Sequence, residues 1–323
     1  MYKKFYGLKE NPFNVNPDPR YLFLTPHTQE ALACLTYGIE TRQGFILLTG
    51  EVGTGKTTLI NKVLDWLHKE RVSTAFVFNP RLSVSQFFDF MMADFGIPCE
   101  SHQKGQMLLK LNQWLLERYQ AGERAVLIVD EAQNLSPQML EEIRLLTNME
   151  TSTEKLLQIV LSGQPELEQK LNQPQLRQLR QRIVMRAKTR QLTLEETQGY
   201  IQERLRIAGA ANPDIFSPEA VEAVHRYARG IARVTNLLCE HALVSAFVDH
   251  KNPVPPEIVE EVARDFDLHI IDPIAQPPGQ PHLQSGNGDN PPLIESLLQT
   301  LNTLVDRLNQ GEAAVETEHE RKP

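Results

Sequence analysis

The stretch LLTGEVGTGKTTL, residues 47–59, decides the fold class of this chain. It fits the pattern G-x-x-x-x-G-K-[ST], with an apolar run before it and a helical stretch after it. In such a loop the glycines let backbone N–H groups turn toward phosphate oxygens, and the next helix adds its positive end. We expect Lys56 to neutralise the β- and γ-phosphate oxygens and Thr57 to ligate Mg²⁺. The stretch therefore predicts a P-loop for ATP, formed by Gly50, Glu51, Val52, Gly53, Thr54, Gly55, Lys56, Thr57 and Thr58.

Short apolar runs alternate with helical stretches from residue 1 to about residue 190. The runs are GFILLT, STAFVFN, RAVLIVD, LLQIVLS and IVMRAKT. This alternation predicts an α/β fold of the P-loop NTPase type over residues 1–190, with a parallel sheet and helices on both faces.

The next segment, residues 191–267, reads as helical throughout. Thr193 and Glu196 have the spacing of a capping box, and Ser217 precedes Pro218 as an N-cap precedes a proline at the first helical position. The segment predicts a small all-helical second domain.

The end of the chain changes composition. Residues 268–292 are rich in proline and glycine, which predicts a disordered linker. Residues 293–310 predict one amphipathic helix, and residues 311–323 a polar tail. The heptad seam of that helix consists of Leu297, Leu301, Leu304 and Leu308.

Composition and charge limit the classes of function. The net charge is −8 and the pI about 5.7, so the 323-residue protein as a whole is not built to condense on DNA or anionic lipid. Its cysteines, Cys34, Cys99 and Cys239, are far apart and predict neither a zinc site nor disulfides. The sequence shows no signal-peptide core and no apolar run of membrane-spanning length, so we expect a cytoplasmic protein.

The stretch AVLIVDEAQ supplies adjacent acidic residues. Asp130 falls at the carboxyl end of a buried strand, where its carboxylate can hold the Mg²⁺ shell. Glu131 is a candidate base or orienting group for the attacking water. Because nucleotide binding alone would not need Glu131, the pair favours hydrolysis.

A polar pair follows the next predicted strand, in LLQIVLSGQPEL. This strand delivers Ser162 and Gln164 to the same edge of the sheet as Asp130, where open α/β folds bind ligands. Gln164 can orient water against the γ-phosphate, although a polar residue in this position often only begins a turn.

Residues 169–194 form a basic segment that contains no acidic residue. Its cations are Lys170, Arg177, Arg180, Arg182, Arg186, Lys188 and Arg190. Three interpretations remain open: contact with the triphosphate of an adjacent subunit, contact with nucleic acid, or a solvated face paired with acids of the second domain.

Arg233 follows Gly230 in GIARVTNLLCEHAL, at the start of a predicted helix near the cleft. It would touch phosphate only when the second domain closes, which would couple nucleotide state to domain angle. The alternative is an ordinary surface salt bridge.

The N-terminal stretch from Pro12 to Pro26 contains four prolines and predicts an extended strap. Its aromatic residues Phe13, Tyr21 and Phe23 either form a wall for an adenine or only pin the strap to the core.

The order of P-loop, VDEAQ, SGQPEL, arginine-rich stretch and GIARVTNLL resembles that of the AAA+ ATPases. More closely, FYGLKENPFNVNPDPRYLFLT, GEVGTGKTTL, DEAQNL and GQPEL resemble the ExeA (GspA) family, ATPases associated with bacterial secretion and envelope assembly. The resemblance, over residues 1–266, implies that the strand before Gln164 lies between those of the P-loop and Asp130. It also implies a sensor 1 role for Gln164 and a sensor 2 role for Arg233 in a helical lid. Arg182 or Arg180 would be the arginine finger given to a neighbouring subunit of a ring that forms on ATP.

The resemblance also implies a function. The best-known members continue through a membrane helix into a periplasmic peptidoglycan-binding region, whereas here a linker and a short helix follow, as in short relatives found beside polysaccharide and exosortase systems. We expect an ATPase that assembles or remodels secretion, envelope or polysaccharide-export machinery, lying at the inner membrane through a protein partner. One alternative is a DNA-associated ATPase of the TnsC/TniB transposition type, which the basic segment supports. Another is a nucleotide-gated switch with little turnover.

Overall fold

The structure is a computed structural model that describes residues 1–78, 82–100 and 103–268. Apart from Leu268, the predicted linker, amphipathic helix and polar tail lie outside the described residues.

The centre of the fold is a sheet of five parallel strands, and every strand predicted from the apolar runs is confirmed. The strand bounds are β1 Phe45–Thr49, β2 Ser73–Val77, β3 Ala125–Val129, β4 Leu157–Gly163 and β5 Ile183–Lys188. The strand order is β2-β3-β4-β1-β5. The strand before Gln164 therefore lies between those of the P-loop and Asp130, as the resemblance implied.

Helices alternate with the strands of this sheet, and the elements that follow β5 in the described residues are helices. Their bounds are α1 Tyr2–Phe5, α2 Pro26–Glu40, α3 Lys56–Lys69, α4 Val84–Asp94, α5 Lys104–Gln120, α6 Pro137–Leu146, α7 Pro165–Leu171, α8 Arg177–Arg182, α9 Leu194–Ile207, α10 Pro218–Ala228, α11 Ala232–Val248 and α12 Pro256–Asp265. Short 3₁₀ helices cover Pro19–Tyr21, Ala132–Asn134 and Pro174–Leu176.

The helix starts obey the capping rules used in the prediction. Thr193 accepts a hydrogen bond from the Glu196 backbone N–H, and the Glu196 side chain accepts one from Thr193, which completes the capping box. Ser217 caps α10 with Pro218 in its first turn. These local signals explain why the helical segment begins where the sequence predicted.

Two hydrophobic clusters hold the described residues together. The first surrounds the sheet, where β1, β3 and β4 are buried along their whole length as expected for strands covered on both faces. The second lies among α9 to α12, and we call these four helices the lid.

The N-terminal residues pack with the lid. Tyr6, Leu8 and Phe13 are buried in the lid cluster, and the Phe13 and Phe216 rings meet edge to face with centroids 6.1 Å apart. The sequence analysis placed residues 1–190 in one sheet domain, whereas this first segment shares its core with the lid. The reason is that the apolar side chains of Tyr6, Leu8 and Phe13 are covered by lid helices far along the chain.

Phe13→Ala is expected to destabilise the protein by about 3–5 kcal/mol, because it removes a large side chain from a packed core. Phe13 is 1% exposed, whereas Phe90 is 59% exposed and provides a matched control. Chemical denaturation of both variants gives the free energies of unfolding. Equal, small losses for the two would contradict the packing of the strap against the lid.

None of the helices in the described ranges has the length and apolarity that a membrane crossing requires.

Candidate functional site

The P-loop connects the end of β1 to the start of α3. Gly53 and Gly55 have φ angles of 78° and 95°, in the left-handed region that side chains disfavour. Gly55 is the N-cap of α3, so the loop delivers Lys56 and Thr57 to the first turn of that helix. The loop shape therefore comes from glycine, and the functional side chains come from the helix.

Gly50 is required for a different reason, because Thr189, the residue after β5, approaches it closely. A Cβ atom at Gly50 would lie 2.0 Å from Thr189 Oγ1. Thr189 also shares a hydrogen bond of 2.7 Å with Thr54 Oγ1, so it supports the loop from the side. The sequence analysis missed Thr189; its only signal was its place at the end of the IVMRAKT run.

Lys56 lies at the centre of the P-loop, and its ammonium group donates to neutral backbone acceptors. Its Nζ donates to the carbonyl oxygens of Gly50 at 2.8 Å and Glu51 at 2.9 Å, and the residue is 6% exposed. Burial lowers the pKa of Lys56, while the charges of Glu131 and Asp130 oppose this change. An ammonium group bonded to carbonyls in a glycine loop has the chemistry to bind a phosphate anion.

Asp130 is buried at the carboxyl end of β3, where its carboxylate accepts hydrogen bonds from side chains of α3 and β4. Its Oδ2 accepts a hydrogen bond of 3.2 Å from Thr57 Oγ1, and its Oδ1 accepts one of 2.7 Å from Ser162 Oγ. The structure thus brings together the two predicted magnesium ligands, Thr57 and Asp130, and holds the carboxylate from the neighbouring strand β4. A hydroxyl and a carboxylate are hard oxygen donors of the kind that Mg²⁺ prefers.

Glu131 has an unusual backbone conformation, with φ 53° and ψ 33°. The left-handed region costs a residue with a side chain about 1–2 kcal/mol, so the surrounding contacts must hold it there. Its Oε2 accepts a hydrogen bond of 3.2 Å from Gln164 Nε2, which places the two predicted catalytic residues together.

Gln133 was not predicted, yet it contacts both of these residues. Its Nε2 donates to Glu131 Oε2, and its Oε1 accepts a hydrogen bond of 3.1 Å from the Gln164 backbone N–H. The available signal was its position in the DEAQ stretch, two residues after Glu131.

A cleft of about 350 Å³ opens beside the P-loop. Its size falls within the usual range of small-molecule sites. The walls come from the P-loop, the strap and the lid, and they include Tyr21, Phe23, Tyr200, Arg204, Arg233 and Asn236. Nucleotide held by the P-loop would therefore extend between strap and lid.

Arg233 lies in the first turn of α11, directly beside the P-loop. Its backbone N–H donates to the Gly53 carbonyl at 3.1 Å, and a Cβ atom on Gly53 would lie 2.8 Å from Arg233 Cβ. The guanidinium group belongs to an exposed residue that lines the cleft. This position agrees with the predicted one, and the sensor 2 role stays a prediction.

The strap bridges the lid and the P-loop helix. Arg204 of α9 donates through Nε to the Pro12 carbonyl at 2.5 Å and stacks on Tyr21 with its Cζ 4.4 Å from the ring centroid. On the other side, Asn61 of α3 donates to the Pro17 carbonyl at 2.7 Å. Phe13 therefore pins the strap to the lid, whereas Tyr21 and Phe23 line the cleft where a base would lie.

Several cations of the basic segment bond within the sheet domain. Lys170 Nζ donates to the carbonyls of Leu135, at 2.7 Å, and Gln133. Lys188 forms an ion pair of 2.9 Å with Glu168, which also accepts a hydrogen bond of 2.6 Å from Thr49. Burial raises the pKa of Glu168, but these two hydrogen bonds and the positive charges of Lys188 and Arg186 together lower it.

Arg180 and Arg182 lie in the last turn of α8, at the amino end of β5. The P-loop lies at the other, carboxyl end of the parallel strands. Arg182 Nη1 donates to Thr147 Oγ1 at 2.5 Å and Asn148 Oδ1 at 2.8 Å, and Arg180 Nη1 donates to Asn172 Oδ1 at 3.0 Å. Because β1 and β5 are parallel, a strand length of roughly 16 Å separates Arg182 from its own P-loop. Neither arginine can complete the phosphate site of its own chain.

Comparison with known proteins gives two related results. Residues 39–171 match the model of an AAA domain. General secretion pathway protein A of Aeromonas hydrophila is 45% identical over 248 residues, which is 76% of this chain and 45% of that protein. The chain thus spans about half the length of this relative, and the resemblance noted in the sequence is confirmed.

Solved structures share the fold at low sequence identity. The Aeropyrum pernix ORC2 protein in its ADPNP-ADP complexes matches with a TM-score of 0.59 and 17% identity, over 80% of this chain and 72% of the other. Drosophila ORC bound to DNA matches with a TM-score of 0.59 and 18% identity, over 79% of this chain and 64% of the other. At these identities the likeness shows the fold alone.

Proposed function

The chain is an AAA protein homologous to general secretion pathway protein A, and we propose that it binds and hydrolyses ATP to assemble or remodel a bacterial secretion, envelope or polysaccharide-export machine. One observation carries the enzymatic part of this proposal. Lys56 follows β1, and Asp130 and Glu131 follow β3, so all three lie at the carboxyl end of the sheet on the two sides of β4. Hydrogen bonds to Gly50, Thr57 and Gln164 respectively hold them there.

The P-loop binds the triphosphate. Its backbone N–H groups and the positive end of α3 face the phosphates, and Lys56 exchanges its two carbonyl partners for phosphate oxygens. The base and ribose extend into the cleft between strap and lid, where Tyr21 and Phe23 offer aromatic surface. ATP would therefore contact the P-loop, the strap and the lid together.

The donor set fits Mg²⁺. Thr57 Oγ1 and Asp130 Oδ2 lie 3.2 Å apart beside the P-loop, and Mg²⁺ is usually held by one or two such oxygens together with water and phosphate. When bound, the ion would neutralise charge on the β- and γ-phosphate oxygens. Ser162 holds the Asp130 carboxylate in the orientation that this requires.

Glu131 acts as the base for hydrolysis. Its carboxylate accepts a proton from the attacking water, and Gln164 orients that water toward the γ-phosphate. Two observations support this role: Glu131 lines the cleft beside the P-loop, and its carboxylate is bonded to Gln164.

The protein works as an oligomer that meets a protein partner. Arg182 or Arg180 lies remote from its own P-loop and would exchange its hydrogen bonds within the chain for the triphosphate of a neighbouring subunit in a ring. The relative named for general secretion supports a partner in a secretion machine, reached from the cytoplasmic side of the inner membrane.

The transposition alternative is not favoured. The homologue is a secretion protein, and the DNA-bound neighbour shares only the fold. In addition, Lys170 of the basic segment is bonded to backbone carbonyls of its own chain, and the charge of Lys188 is offset by its ion pair with Glu168.

Glu131→Gln is expected to bind ATP with unchanged affinity and to turn it over at least about a hundredfold more slowly, the range found for loss of a general base. Single-turnover phosphate release measures the chemical step, and equilibrium titration with ATP measures affinity. Glu70→Gln, an exposed acid at the far end of α3, is the matched control and should hydrolyse ATP at the wild-type rate. An unchanged rate in Glu131→Gln would favour the nucleotide-gated switch.

A further inference from the structure

We infer that Gln133 is a positioning residue for ATP hydrolysis, which holds the Glu131 carboxylate and ties it to the loop that carries Gln164. The inference rests on the proposed function and adds a residue to it. Both hydrogen bonds of the Gln133 amide go to Glu131 and Gln164, so it acts on the reaction through these two neighbours.

The orientation of the Gln133 amide is set at both ends. The Gln164 backbone N–H can only donate, so the atom that faces it at 3.1 Å must be the amide oxygen of Gln133. The amide nitrogen then points at the Glu131 carboxylate, which accepts its hydrogen bond. A glutamine with one donor end and one acceptor end matches this place, and no other common side chain of the same shape does.

Contacts on both sides keep Gln133 in this position. Lys170 donates to its backbone carbonyl, and Ala132 beside it is buried. Gly163, the last residue of β4, passes so close that a Cβ atom there would lie 2.7 Å from Gln133 Oε1. The chain thus leaves room for the Gln133 amide between the ends of β3 and β4.

The consequence concerns which carboxylate oxygen is left for the reaction. Both amides, from Gln133 and Gln164, donate to Oε2 of Glu131. This arrangement leaves Oε1 to accept the proton from water, and it restricts a side chain that would otherwise rotate freely on a strained backbone. Loss of Gln133 leaves one amide to hold the carboxylate.

The test is a double-mutant cycle on the 323-residue chain. Gln133→Ala is expected to lower kcat by about ten- to a hundredfold, as for loss of a hydrogen bond to a charged group, while the Kd for ATP changes less than about twofold. In the Glu131→Gln background the same substitution should lower kcat by less than about twofold, because the Glu131 carboxylate that Gln133 positions is already absent.

Two further variants separate positioning from structure. Gln133→Glu keeps the shape but replaces the donor with an acceptor, so its kcat should fall at least as far as that of Gln133→Ala. Gln113→Ala removes the same kind of bond, from Gln113 Nε2 to Glu117 Oε1 at 3.0 Å on the exposed face of α5, and should leave kcat unchanged.

The outcomes distinguish this inference from the proposed function. If Glu131→Gln slows hydrolysis while Gln133→Ala or Gln133→Glu keeps the wild-type kcat, the positioning role is wrong and the proposed function stands. A full additional loss in the double variant, or a faster Gln133→Ala enzyme, would also overturn it. If Glu131→Gln itself is unaffected, both the base assignment and this inference fail.

Discussion

Lys56→Ala is expected to lose ATP binding almost completely while keeping its fold. The substitution removes the one side-chain cation at the centre of the P-loop, and that cation is held by carbonyl oxygens rather than by a carboxylate. The loop shape, in contrast, depends on the left-handed glycines Gly53 and Gly55, which remain. Binding is measured by calorimetric titration with ATP and Mg²⁺.

The fold should survive because Lys56 contributes little net stability in the free protein. Its two hydrogen bonds are offset by the cost of burying the ammonium group, the same cost that lowers its pKa. Lys69→Ala, at the exposed end of the same helix, is the matched control and should bind ATP normally. Tight ATP binding by Lys56→Ala would contradict the assignment of the site.

Arg182→Ala is expected to reduce turnover by on the order of a thousandfold with little change in ATP affinity, because an arginine finger acts mainly in the transition state. Arg182 lies a strand length from its own P-loop, so the site it completes must belong to a neighbouring subunit. Specific activity should accordingly rise with protein concentration until the oligomer saturates.

Arg182 also bonds Thr147 and Asn148 in its own chain, and the test must separate this from catalysis. Arg182→Lys keeps the charge but loses the guanidinium fork, so it should remain slow if the finger is required. Arg177→Ala, at the other end of α8, is a control for the loss of one positive charge. Arg180→Ala identifies which of the two arginines supplies the finger.

Mixing two inactive variants decides whether the finger acts between subunits. Arg182→Ala keeps an intact P-loop, and Lys56→Ala keeps an intact finger, so a mixed ring contains some complete sites. We expect part of the activity to return on mixing. If the variants co-assemble on size exclusion and activity stays absent, Arg182 is a structural residue of its own subunit.

Local features of the sequence were sufficient for the sheet, the helices and the P-loop. The five apolar runs became the five strands because a strand covered on both faces needs continuous apolar residues. The capping side chains of Thr193 and Ser217 accept hydrogen bonds from backbone groups three residues later. Both partners of each bond therefore lie in the same short stretch of sequence. Lys56 and Thr57 were predicted because their spacing from Gly50 is itself the pattern, and Asp130 because it directly follows an apolar run.

Only the tertiary structure decided which distant residues meet. Gln133 contacts Gln164 across 31 residues, Thr189 contacts Thr54 across 135, and Arg204 contacts Pro12 across 192. Such pairs depend on the strand order and on how the lid covers the strap. Neither can be predicted from a short sequence motif. The sequence therefore determined the fold class and the P-loop, whereas the packing of the strap and the hydrogen bond from Gln164 to Glu131 depended on long-range contacts made when the chain folds.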